Sequence, residues 1–163
     1  MGNYKDLEYE FIERSIALIE QYEGICPQFS FEKQYNHTLL INCLLGLIVM
    51  PKERVISYIP KKQLTPKVKE EIGLKNSSIN YKIKNLKDLI IRLRHSVAHF
   101  DIVVESRDKK LLIDEIIFRE KENGNIYEIV RFESNELLPF IKYYSNWLLR
   151  NLKQYRGNND TIT

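Results

Sequence analysis

Cysteine and histidine are both scarce in this chain. Its 163 residues hold two cysteines, Cys26 and Cys43, and three histidines. The cysteines have no CxxC spacing and too few histidines near them for a zinc set, so buried free thiols in a reducing compartment are expected. No carboxylates cluster at metal-ligating spacing, and neither a metal nor a cofactor is expected. Charge of one sign is not in excess. Lys and Arg number 25 against 22 Asp and Glu, a net +3 that permits a polyanionic partner without demanding one. Long hydrophobic runs are missing too. The most apolar stretch, residues 39 to 50, contains Asn42 and stops at Pro51, too short to cross a bilayer. No signal-peptide pattern opens the chain, and Asp6 stands where a myristoylation signal wants Ser or Thr. A cytoplasmic location without a membrane partner is expected.

What is present suffices for one packed domain, expected over residues 1–156, with a flexible polar tail at 157–163. Apolar residues at helical spacing (Leu7, Phe11, Ile12, Ile16, Ile19) predict a first helix over 6–21, ended by Gly24 and Pro27. Ser30 predicts the cap of a second helix running to about position 50, apolar nearly all round and so the central one. Residues 51–85 hold three prolines and eight lysines and read as a long connection, with one short helix between Thr65–Pro66 and Gly73. A third long helix is predicted over 85–98. The period then changes to two, predicting strands at IVVES, LLIDEIIFRE and IYEIVRFE, the last two joined through an Asn-Gly hairpin signal. Ser134 or Asn135 caps a last helix. The fold class predicted is mainly α, a helical bundle with a small antiparallel β insertion before the last helix.

The densest chemistry lies in RLRHSVAHFD, residues 92 to 101. With Arg92 at zero on a helical wheel, His95 and His99 fall at about 300° and 340°, and Arg94 at about 200°. Arg92, His95 and His99 thus share one edge of the helix, while Arg94 flanks the other side. A histidine at a helix end beside Asp101 and arginines is suited to acid–base work near neutral pH. A guanidinium fork can grip two phosphate oxygens at once. Together these parts suit RNA cleavage by the substrate's own 2′-hydroxyl, which needs proton transfer and phosphorane stabilisation. The same residues also fit a plainer account, with Arg94 salt-bridged to a neighbouring carboxylate and His99 capping helix carbonyls.

The run R94-H95-S96-V97-A98-H99, within LRHSVAHFDI, resembles the R-x(4–6)-H motif of the HEPN superfamily of small helical bundles. The run YNHTLLINCLLGLIVMPKERV is similar to the second helix of a branch of stand-alone HEPN proteins from bacterial plasmids. The resemblance implies a HEPN-like bundle and a metal-independent endoribonuclease. It also implies a homodimer joined through the motif helix, so that Arg94 and His99 converge between chains. Arg94 would then hold the scissile phosphate, His99 would be the general acid/base, and His95 would orient the pair or contact RNA. The products would carry a 2′,3′-cyclic phosphate and a 5′-hydroxyl. A toxin or anti-phage role follows, with an antitoxin or regulatory partner. Some HEPN toxins carry a tyrosine two positions after the histidine, modified by a partner enzyme; here Asp101 occupies that position. Arg92, Lys61 and Lys62 are further candidates for RNA contact, and Asn42 and Asp101 for structural support. Non-catalytic RNA or nucleotide binding, or a dimeric adaptor, is the alternative within the same fold.

Overall fold

A computed structural model describes residues 3–49, 59–107, 113–122 and 124–159. Among them are five α-helices and one four-stranded antiparallel sheet. By backbone proximity the chain forms two compact units, Met1–Tyr58 with Ile141–Thr163, and Ile59–Phe140.

In the first unit, α1 (Leu7–Ile25) starts where the Asp6 carboxylate accepts the Tyr9 amide at 3.3 Å. It buries Ile12, Ser15 and Ile19. The helix runs through Gly24, contrary to the stop predicted there. One exposed glycine costs a helix only about 1 kcal/mol, and the chain tightens into a 3₁₀ turn at Cys26–Gln28, where Pro27 removes a donor. Ser30 opens a 3₁₀ turn, Phe31–Lys33, instead of the second long helix. The Tyr35 amide donates to the Tyr22 hydroxyl at 2.7 Å, and α2 (Asn36–Val49) begins only after it.

Leu40, Cys43, Leu44, Leu47 and Ile48 are buried on α2, whereas Thr38, Asn42 and Val49 are exposed. The helix is therefore buried on one face and not all round. Gly46 lets it pack closely on α1, since a Cβ there would lie 2.8 Å from the Phe11 ring. Cys26 and Cys43 are both free and buried. From Ile141 on, the last helix, α5 (Leu137–Asn159), adds Tyr144, Trp147, Leu148 and Leu152 to this unit's core. It runs beyond the predicted boundary at 156, and the rest of the predicted tail, 160–163, lies outside the described residues.

The second unit holds the sheet. What reads as a long connection is in large part packed structure: Ile59, Val68, Ile72, Leu74 and Ile83 are all buried. Residues 50–58 lie outside the described set. Thr65 caps α3 (Pro66–Glu71) by accepting the Val68 amide at 3.3 Å, with Pro66 in the first turn. Gly73 follows at φ +81°, against Pro139, where a Cβ would lie 2.7 Å from that ring.

Strand β1 (Ser78–Ile79) went unpredicted, being only two residues long. Helix α4 (Leu86–Ala98) follows, its first turn capped by Asn85, which accepts the Asp88 amide at 2.9 Å. Then come β2 (Ile102–Glu105), β3 (Glu115–Glu122) and β4 (Asn125–Glu133), giving the order β1-β4-β3-β2. Leu111 and Leu112, predicted as strand, and Asn123 of the hairpin lie outside the described residues; Gly124 turns at φ +81°. Leu86, Leu89, Ile90 and Leu93 of α4 face the sheet core of Ile116, Phe118 and Phe132. The Phe118 and Phe132 rings meet edge to face at 5.5 Å.

Candidate active-site cleft at the end of the fourth helix

Helix α4 ends in a tight hydrogen-bonded cap. His99 is the cap residue. Phe100 then donates its amide to the Val97 carbonyl at 3.0 Å, and Asp101 to the Ser96 carbonyl at 2.9 Å. This is the Schellman pattern, which needs a left-handed residue just past the cap and normally uses glycine there. Here that residue is Phe100, at φ 51°, with its side chain 73% exposed. A left-handed bulky residue costs on the order of 1–2 kcal/mol. The cap nevertheless forms, because the chain is fastened on both sides of it.

The fastening runs through Ser96 and β3. Ser96, 1% exposed, donates its hydroxyl to the Asp101 carbonyl at 3.0 Å and accepts the Arg119 amide at 3.2 Å. The Arg119 amide also reaches the Asp101 carbonyl at 2.9 Å. Its guanidinium donates through Nε and Nη2 to Asp101 Oδ1, at 3.2 and 2.9 Å. The β3–β4 register shifts between Phe118 and Arg119, a bulge at the point where β3 meets the helix end. Asp101 thus acts through Arg119 to hold the helix terminus against the sheet.

Between the helix end and β3 lies an open cleft of about 360 Å³, lined by His95, Ser96, His99, Asp101, Arg119, Glu120 and Lys121. Both imidazoles are exposed. Arg119, Glu120 and Lys121 are absent from the sequence reading. Their only sequence signal is the polar run that ends the second strand, and nothing local aims it at a helix almost thirty residues earlier.

The remaining candidates are placed differently. Arg94 is half-buried on α4 and does not line the cleft, as its angular offset from His99 requires. Arg92 is held by two carboxylates, Asp88 at 3.3 Å and Glu120. Burial works against its charge, yet Glu120 and Asp88 more than offset this and raise its pKa. Lys62 pairs with Glu71 at 2.5 Å, while Lys61 is exposed. Asn42, expected as a buried brace or self-satisfied amide, is solvent-exposed on α2. Among the described residues no group of three or more His, Cys, Asp or Glu side chains is placed to hold a metal ion. Nor is any helix among them long and apolar enough to cross a membrane.

The described residues are mainly helical, with one small antiparallel sheet. The model of the HEPN pEK499 p136 family matches residues 1–155, and the chain belongs to that family. No curated protein and no solved structure matches it.

Proposed function

We propose that the protein is a metal-independent endoribonuclease built on a HEPN helical bundle, acting as a homodimer paired through α4. The observation that carries this reading is the pair of exposed imidazoles, His95 and His99, lining an open cleft at the end of the motif helix. In the reaction, a base removes the proton of an RNA 2′-hydroxyl, and that oxygen attacks the adjacent phosphorus. The bond from phosphorus to the 5′-oxygen breaks, and the leaving oxygen takes up a proton. His99 is the acid/base and His95 orients it or contacts RNA. Arg94 of the second protomer holds the phosphate, its fork matching two oxygens. A toxin or defence role against cellular or phage RNA fits such an activity, restrained by an antitoxin or other regulatory partner.

The test is incubation of purified protein with RNA in EDTA, beside the Arg94→Ala/His99→Ala double variant. Wild-type protein should yield 2′,3′-cyclic phosphate and 5′-hydroxyl ends, and the double variant none. Equal cutting by both, or no cutting by either, refutes the reading. One observation favours a second reading, a non-catalytic RNA- or nucleotide-binding module: within one chain Arg94 does not line the cleft. That reading expects binding without product.

A further inference from the structure

We infer that the cleft is an anion subsite for an RNA phosphate whose cation in the same chain is Lys121 of β3. The inference rests on the proposed RNA substrate and adds a residue that the helix motif does not contain. Two carboxylates, Asp101 and Glu120, line the cleft, and each is held by an arginine. Arg119 grips Asp101 at 2.9 Å, and Arg92 grips Glu120. With those charges matched, the ionisable groups left to meet a ligand are the His95 and His99 imidazoles and the Lys121 ammonium. Among the described residues no carboxylate pairs with Lys121, and its side chain is exposed.

A cleft with one spare ammonium and two ring donors, and no spare carboxylate, selects an anion. Its volume of about 360 Å³ sits at the small end of ligand sites, which suits one nucleotide of a longer strand. Lys121 is one residue beyond Glu120 on a strand whose bulge sets the direction of Arg119. The two matched pairs fix the cleft wall, and Lys121 stands at its rim as a mobile point charge. Arg119, engaged by Asp101, is a positioning residue; Lys121 touches the phosphate.

The probe is a fluorescein-labelled single-stranded RNA with 2′-O-methyl groups throughout, which binds without being cut. Its affinity is measured by anisotropy over a series of salt concentrations. Lys121→Ala should weaken binding about five- to tenfold and reduce the slope of log affinity against log salt by about 0.7, the value for one lost single-strand phosphate contact. Lys121→Arg should restore both. Lys67→Ala, removing an exposed lysine of α3 in the same unit, should change affinity less than about twofold. No effect of Lys121→Ala on a wild type that binds, or an equal effect of Lys67→Ala, overturns the assignment. Cleavage of unmodified RNA is followed in parallel. A wild type that binds but does not cut removes the ribonuclease reading and leaves the Lys121 result standing. A wild type that does not bind RNA removes both.

Discussion

Ser96→Ala tests the clamp between the helix end and β3, and its cost can be worked out from the geometry. The hydroxyl makes two hydrogen bonds, one to the Asp101 carbonyl at 3.0 Å and one from the Arg119 amide at 3.2 Å. Deleting a buried hydroxyl is expensive when its partners are left alone, about 1–3 kcal/mol for each orphaned group. Here they are not left alone, because the Arg119 amide and the Asp101 carbonyl already bond each other at 2.9 Å. The Ser96 carbonyl also keeps its bond from the Asp101 amide. Only the net worth of two modest, shared hydrogen bonds is lost, about 1 kcal/mol in total.

For a chain of 163 residues that lowers Tm by about 2–4 °C. Urea unfolding followed by circular dichroism, with an unchanged m-value, measures it. The single tryptophan, Trp147, lies in the other unit, so its fluorescence is the wrong probe. A loss above about 3 kcal/mol would mean that the paired amide and carbonyl do not compensate each other, and the clamp as described is wrong. If His99 acts on RNA, the same variant should slow cleavage by on the order of tenfold, because a loosened helix end misplaces the imidazole. Full cleavage activity with reduced stability would show that the clamp serves the fold alone.

Glu136 makes the opposite case. It is 8% exposed and accepts from the amides of Asn76 and Ser77, both at 2.8 Å, and from their side chains at 3.0 and 2.6 Å. Glu136→Ala should therefore cost about 3–5 kcal/mol in urea unfolding, since two backbone donors lose their partner; a loss under about 1 kcal/mol would refute this. Burial pushes the Glu136 carboxyl up, but the bonds from Ser77 and Asn76 outweigh it and hold its pKa below the ordinary glutamate value. A depressed carboxyl contributes stability above its unfolded value of about 4.3, and that share is lost as pH falls through the folded value. The gap between wild type and Glu136→Gln should then shrink on acidification, and a constant gap would contradict the assignment. For the proposed dimer, Arg94→Ala protein mixed and reassociated with His99→Ala protein should regain about a quarter of wild-type cleavage, one intact site in half of the dimers. Mixing Lys121→Ala with His99→Ala should give no gain over the sum of the two, because those residues share a chain. Failure of the first mixture, or recovery in the second, would refute the shared-site arrangement.

The elements that could be read from the sequence are those whose signals are local. Helix α4 follows from the apolar stripe of Leu86, Leu89, Ile90, Leu93 and Val97, and α3 from Thr65–Pro66 at one end and Gly73 at the other. The β3–β4 hairpin follows from its period of two and its turn. Each of these is decided within one or two turns of chain, where capping and side-chain period dominate. The start of α2 was not readable, because the Tyr35 amide is taken by the hydroxyl of Tyr22, thirteen positions away. The packing of residues 59–85 was hidden for the same reason. Glu136 holds the 76–77 turn from sixty residues downstream, and β1 exists only through its pairing with Val130 and Arg131.

The candidate site divides along that line. The wheel puts His95 and His99 on one edge and Arg94 on the other, and the cleft is lined by the two histidines without Arg94. It also puts Arg92 beside the imidazoles as a second cation. That charge is spent on Glu120, a residue of β3 twenty-eight positions later. The strand that neutralises Arg92 delivers Lys121 to the same cleft in the next residue. The pairing of Arg92 with Glu120 and the arrival of Lys121 are both invisible until the sheet is built. On the proposed reading, then, the helix would supply the groups that move protons and the sheet the charge that receives a phosphate. A motif read along one helix can display only the first of these.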